Sequence, residues 1–299
     1  MAKRIFLLNL ALLLVGMGPV VAGCPPDGYS RQDLVEIKKN GFDIAAPERT
    51  ALAVALLDCL ADPDPQIRDG VVYEGLASWL RGDLLEPPTI DALYGRLLAD
   101  LAGQGDANGF VQPFAAVVLS EVARTDRVGD TFTPQRREEL IAAATTYLTA
   151  VDDYRGFSET EGWRHGVAHG ADLVLQLVLN EHIDAAQVDR LVSAVLTQVA
   201  PAGETFYVYG EPNRLARAVH YAHSRGVIED ERWQEWLQAV SDPAPLESWN
   251  DAYSSQAGLA RRHNTLGFLL ALHVYATASE AENDGALDAM VMQAIEGVW

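Results

Sequence analysis

From residue 30 onward, apolar side chains return every three or four positions and strand-like alternation is nearly absent, so the pattern predicts helices almost throughout. Helix punctuation divides that pattern into elements. Ser30 can cap a helix that stops at Gly41, Pro47 opens a second one running to about Ala61, and Asp64-Pro65 starts a third that ends at Gly82. Thr89 leads into the next, which the loose loop Gly103-Gln-Gly-Asp-Ala-Asn-Gly109 closes. Further helices are expected at 111–126, 134–150, 163–181, 184–199, 212–225, 229–240, 250–260, 263–278 and 284–297. Short connections between so many helices predict an all-α fold of stacked αα-hairpins. Phe206 to Tyr209 has strand-like composition but is too short to change that class.

How the hairpins stack is suggested by Asp62-Pro-Asp-Pro-Gln-Ile67-Arg68-Asp69-Gly70. This segment resembles the turn and second-helix start of a HEAT repeat, in which a Pro-containing turn precedes an Asp or Arg that hydrogen-bonds along the stack. The resemblance spans one repeat, and it implies a HEAT-like α-solenoid or superhelix. A closed α/α toroid, made from the same hairpins curled into a ring, is the competing architecture.

The first residues have a different character. Lys3-Arg4, the apolar stretch Ile5 to Val15 and small residues up to Gly23 make an export signal. Val21-Ala22-Gly23-Cys24 resembles the lipobox of bacterial lipoproteins, which implies lipid on Cys24 and, with Pro25 rather than Asp following, passage to the outer membrane in a Gram-negative cell. The expected organisation is therefore a signal peptide at 1–23, a short linker at 24–29 and a single helical domain at 30–299. The domain would face away from the cytoplasm in the cell envelope, with the membrane as its partner through the anchor. Lipidation of Cys24 would leave Cys59 unpaired, and its apolar neighbours make it a small core residue.

Net charge narrows the partners. At −20, with 42 acidic residues against 22 Lys and Arg, the surface repels phosphate backbones, so nucleic acid is excluded. An envelope protein or a small ligand remains.

Polar chemistry concentrates between residues 151 and 172, in Asp152-Asp153-Tyr154-Arg155-Gly156 and Gly162-Trp163-Arg164-His165-Gly166-Val-Ala-His169-Gly170-Ala171-Asp172. Here the chain resembles the bacterial DUF2785 family of unknown function, which carries an Asp-x-Arg-Gly element followed by Gly-Trp-x-His-x-x-x-His-Gly-x-Asp. A second family element looks like Tyr209-Gly-Glu211-Pro-Asn-Arg214-Leu-Ala. An acidic residue is usual in that family where Val151 stands. The resemblance implies a shared fold and no activity.

On a helix advancing about 100° per residue, His165, His169, Asp172, Gln176 and Asn180 fall on one stripe, with apolar or small residues opposite. Gly166 and Gly170 would let another backbone approach. Solvent faces normally carry Lys, Glu and Arg, so a stripe of short fixed polar groups favours a structural network or a ligand pocket over a bare surface. Two His at i and i+4 with Asp172 could also ligate a metal, although Gly166 stands where a zincin would carry Glu. Arg214, Arg217, Tyr221 and Arg225 form a second stripe, held by carboxylates such as Asp152, Asp153 or Glu211, or else forming an anion seat. His220 and His223 point to other faces of that helix and have no assigned role.

His165, His169, Asp172, Glu211 and Arg214 are thus expected to converge on one ligand pocket. Asp153 and Arg155 are expected as a buried structural pair that places Trp163 against the core. Nucleophile and phosphate-loop motifs are missing. The preferred reading is a lipid-anchored envelope protein that binds a ligand or protein in a central polar groove. The alternative is a hydrolase of envelope glycan or peptide, with His165 and His169 as metal ligands or acid/base groups.

Overall fold

A computed structural model describes residues 23–279 and 284–299; the export signal expected at 1–23 lies, up to residue 22, outside the described residues. The chain is all-α. Its helices are α1 Arg31–Lys39, α2 Ala46–Ala55, α3 Pro65–Ile67, α4 Glu74–Arg81, α5 Pro87–Ala102, α6 Val111–Gly129, α7 Pro134–Ala150, α8 Gly166–Val178, α9 Ala185–Thr197, α10 Glu211–Ser224, α11 Asp230–Ser241, α12 Gln256–Ala278 and α13 Asp284–Val298. The only strands among the described residues are β1 Phe157–Ser158 and β2 Gly162–Trp163, an antiparallel pair.

Local chemistry sets the helix starts. Ser30 and Asp33 form a reciprocal capping box before α1, Asp184 and Gln187 do the same before α9, and Thr133 caps α7 with Pro134 at its first turn. The expected element at 163–181 begins later, at Gly166, because residues 157–163 are taken up by the small β-hairpin. The helices expected at 250–260 and 263–278 are one helix, α12, capped by Ser255 and preceded by a 3₁₀ segment Trp249–Ser254.

Alternate helices are spatial neighbours. One row runs α4, α6, α8, α10, α12 and another α2, α5, α7, α9, α11, with α5·α6, α7·α8 and α9·α10 joining the rows, while α13 packs on α11 and α12. The buried apolar side chains form one continuous core along the two rows. At its middle lies α6, buried on nearly every side, where Phe114, Val118, Leu119 and Val122 are almost wholly enclosed. Each such side chain contributes about 1.5–3 kcal/mol.

Two polar knots tie the stack. Asp126 at the end of α6 accepts from Arg137 of α7 (2.8 and 2.9 Å), from Asn180 after α8 (2.8 Å) and from the Phe132 amide (2.6 Å), all out of solvent. Asn180, the far end of the predicted polar stripe, therefore serves the fold. In the HEAT-like segment, a π-helical turn Arg68–Tyr73 follows α3, and the fully buried Arg68 stacks over Phe110 (3.8 Å) and Phe114 (4.9 Å). Its guanidinium donates back to the Asp62 carbonyl (2.7 Å) and across to the Trp163 carbonyl (3.3 Å). Arg68 thus ties this turn to the β-hairpin.

Cys59 is fully buried, but it is not unpaired: its sulfur is bonded to that of Cys24. This corrects the expectation of an unpaired Cys59: among the described residues no cysteine is free.

Candidate functional site

The site is built around the turn into α8. Arg68 and Arg164 approach the Phe110 ring, Arg164 at 4.4 Å, and Arg164 also donates to the Asn108 carbonyl (2.6 Å), so the β-hairpin is clamped to the start of α6. Gly162 sits in this clamp at φ +71°, and a Cβ there would lie 2.6 Å from Pro65. The chain then passes through His165 at φ 60°, a left-handed conformation costly for a non-glycine residue, held by its amide bond to the Arg155 carbonyl (3.1 Å). Its own carbonyl receives the His169 amide (2.9 Å), the first helical bond of α8.

That conformation turns the His165 ring between two elements. It stacks on Trp163 (centroids 4.7 Å apart) and meets His169 edge-on (5.7 Å). Its Nε2 is buried without a hydrogen-bond partner and lies 3.9 Å from a Glu211 carboxylate oxygen at the start of α10. Burial first, then the nearby Arg214 charge, pushes the His165 pKa down to about 4. Burial and the charge on His165 push His169 down to about 3. Both rings are therefore neutral near pH 7. His169 Nδ1 faces the Pro113 carbonyl at 3.1 Å; a carbonyl only accepts, so Nδ1 bears the proton and Nε2 carries the lone pair.

On the α10 side, the other Glu211 oxygen accepts from the Tyr209 amide (2.9 Å), while burial pushes the carboxyl's pKa up. One turn farther along α8, Asp172 pairs with Arg214; burial raises this carboxyl as well, against the pull of the guanidinium. Asp172 also lies within electrostatic reach of Tyr73, as does Glu121, which pairs with Arg81, so the polar face continues onto α4 and α6. Gln176 accepts from Arg127 of α6 (3.1 Å).

The five predicted pocket residues are accordingly neighbours, joined as His165 with Glu211, His165 with His169, and Asp172 with Arg214. They do not form a metal centre. His169 spends one ring nitrogen on Pro113, Asp172 is engaged by Arg214, and among the described residues no group of three His, Cys, Asp or Glu could hold an ion.

Several details differ from expectation. Asp153 and Arg155 do pair, through Nε at 2.8 Å, but the side chains are 36% and 54% exposed, so the pair lies at the surface. Trp163 is 37% exposed and faces outward, because its strand, not the helix, carries it. The Arg stripe is held by Asp172 rather than by Asp152, Asp153 or Glu211, and Arg225 instead donates to the Val178 and Ile183 carbonyls behind α8. Gly170 admits side chains of α7 rather than a backbone, since a Cβ would lie 2.8 Å from Leu148.

Sequence reasoning missed the frame around His165. Phe157, Trp163, Val208 and Tyr209 are all partly exposed, with Phe157 5.0 Å and Tyr209 6.1 Å from Trp163, centroid to centroid. The signal was present in Gly156: a Cβ there would fall inside the Tyr209 ring, at 2.0 Å, so this glycine is what lets the aromatic from the α10 loop lie against the hairpin. A second histidine pair was also missed. His220 Nε2 and His223 Nδ1 of α10 approach one Asp284 carboxylate at 3.1 and 3.6 Å, deep in the core.

Compared with known proteins, residues 97–274 match the family model of DUF2785, described as a protein of unknown function. No curated protein matches the chain, and no solved structure does. The matched span contains the hairpin, α8 and the start of α10.

Proposed function

We propose, for a chain that belongs to the DUF2785 family of proteins of unknown function, that it is an exported protein which recognises a glycan of the cell envelope on the aromatic face around His165. The observation that carries this reading is the unpartnered, buried His165 Nε2, held in a strained backbone and surrounded by exposed rings. A folded protein leaves a buried polar nitrogen unsatisfied at a cost of about 1–3 kcal/mol, which a ligand hydroxyl would relieve. Exposed Trp163 and Tyr209 supply flat apolar surfaces for the C–H faces of a sugar. Glu211 supplies an acceptor opposite the imidazole, and the strongly negative protein favours a neutral ligand over an anionic one.

Export is supported by the leader sequence and by the Cys24–Cys59 bond, since disulfides persist in oxidising compartments. No helix among the described residues is long and apolar enough to cross a membrane. Intact-mass measurement of the protein from cell envelopes, with and without reductant, tests this part. A mature chain without residues 1–22 that gains two hydrogens on reduction is expected, and a chain that keeps its leader with both thiols reduced would overturn it.

The recognition test is titration of N-acetylglucosamine oligosaccharides against tryptophan fluorescence. Saturable binding that weakens at least about tenfold in Trp163→Ala is expected. Binding indifferent to Trp163, or none, would reject the reading. One observation favours a second reading, hydrolysis of such a glycan: Glu211 is buried with a raised pKa beside a neutral imidazole, an acid and a base 3.9 Å apart. Product formation from the same oligosaccharides, abolished in Glu211→Gln, distinguishes catalysis from recognition.

A further inference from the structure

A cleft of about 620 Å3 lies behind the histidine face, on the other side of Gly166 and Pro113. That volume falls within the usual range for small-molecule sites. Its walls are α7, the 103–109 loop and the 151–155 segment. The hollow has a simple cause in the sequence. One face of α7 packs Leu140, Ile141, Ala144 and Leu148 into the core, whereas the face turned to the cleft offers Ala142, Ala143 and Ala150, which are too short to fill it. Leu101, Pro113 and Tyr147 supply the larger apolar surface, and the Tyr147 hydroxyl is already spent on the Gly166 carbonyl (3.2 Å).

Charge at this cleft is one-sided. Asp106, Asp152 and Asp153 stand against Arg155 alone. Asp106 is occupied by the Asn108, Phe110 and Val111 amides, and Arg155 is occupied by Asp153 and the Asn108 carbonyl. The loop fits closely over that pair: a Cβ on Gly109 would lie 2.6 Å from the Asp153 carboxylate. Asp152 is exposed and, among the described residues, takes part in no side-chain hydrogen bond or ion pair. The cleft therefore combines an apolar interior with one uncommitted carboxylate.

We infer that this cleft binds a small amphiphile with an apolar body and a cationic amine, the body lying against Leu101, Pro113 and Tyr147 and the ammonium on Asp152. An anionic head would face three carboxylates and find its one possible cation already paired. This site is separate from the His165 face and does not rest on the glycan reading.

Calorimetric titration of the whole protein with octylamine at pH 7, against octanoate of equal chain length and both below their micelle concentrations, tests the inference. Saturable one-site binding of octylamine is expected, with octanoate at least about tenfold weaker. Asp152→Asn is expected to weaken octylamine by about three- to tenfold, and Ala142→Phe, which fills the cleft from an exposed position, by about tenfold or more. Thr146→Trp, also exposed, serves as the filling variant should Ala142→Phe fail to fold. Equal affinity for the two amphiphiles, no saturable binding, or octylamine binding unchanged in a folded filling variant would each overturn the proposal.

Discussion

His165 and His169 at the start of α8, and His220 and His223 on α10, are each two neighbouring rings with a carboxylate from another element beside them, Glu211 by His165 in the first case and Asp284 by both rings in the second. In the α10 pair the carboxylate is 1% exposed and engaged: burial pushes its pKa up, but hydrogen bonds from Ser279 and His220 hold it below the usual carboxylate range. His220 lies flat against Tyr275 and His223 meets Trp233 edge-on, so aromatic rings close the cluster within the core. In the α8 pair the gap to Glu211 is too long for a hydrogen bond, the neighbouring charge is the positive Arg214, and the surrounding aromatics are open to solvent. Similar residues thus pin α13 to α10 in one place and stand behind an open aromatic face in the other. A buried imidazole nitrogen lacks a hydrogen-bond partner in each, His220 Nδ1 and His165 Nε2, so it is the exposure of the surrounding rings that separates the two, and residue type does not.

Removing the carboxylate at the centre of the α10 cluster should have the largest effect. Asp284→Ala leaves two buried imidazoles facing a void, and a loss of about 3 kcal/mol is expected in chemical denaturation, the scale of hydrogen bonds lost to a buried charged group. Trp163-dependent oligosaccharide binding should survive in the folded fraction. A loss below about 1 kcal/mol would show that the cluster does not secure α13.

The α8 pair should instead show in the pH dependence. In the folded protein His165 and His169 bind protons only near pH 4 and 3, against 6.5 for an unperturbed imidazole. The unfolded chain therefore takes up protons first as pH falls. Stability from keeping these rings neutral is complete above about pH 6.5 and is lost progressively as pH falls toward the folded values. A His165→Asn, His169→Asn double variant should flatten the stability profile between about pH 6.5 and 4 relative to the parent. Parallel profiles would place the titration elsewhere.

How much of this was legible depends on the kind of interaction. Helix starts were, because Ser30, Thr133 and Asp184 cap within their own segment. So was the proximity of His165, His169, Asp172, Glu211 and Arg214, since a polar stripe on α8 must be met by the next helix of its row, α10. The aromatic frame was not, because Trp163 reads as the first residue of a helix until Arg68, about a hundred positions earlier, holds it in a hairpin. Nor were the partners of Cys59 and of His220, at Cys24 and Asp284, which no helical periodicity relates. Local and periodic constraints can be read from one chain. Pairings between distant segments need the path between them.

Arg214 tests whether the two halves of the α8 face are coupled. Asp172 is mostly buried, so Arg214→Ala leaves its carboxylate without its guanidinium, and about 1–3 kcal/mol of stability should be lost. The same charge depresses both imidazoles, so NMR titration of the variant should find the His165 and His169 pKa values raised. Unmoved values with lowered stability would make the Asp172–Arg214 pair a purely structural contact.

The smallest effect belongs to the pair that sequence reasoning placed in the core. Arg155 and Asp153 lie two residues apart on an exposed segment, and solvent screens the attraction between them. Arg155→Ala should therefore cost less than about 1 kcal/mol in thermal or chemical denaturation. Arg164 provides the contrast within the same motif: it reaches the same Asn108 carbonyl, but it is 5% exposed and covers Phe110, so Arg164→Ala should cost clearly more. Because Arg155 lines the cleft at its mouth, its removal should instead register in binding. Losing the only cation there leaves Asp153 uncompensated beside Asp152, so affinity for octylamine should rise in Arg155→Ala while the unfolding midpoint hardly moves. Weaker octylamine binding in that variant would mean that Arg155 holds the mouth in shape rather than opposing a cation.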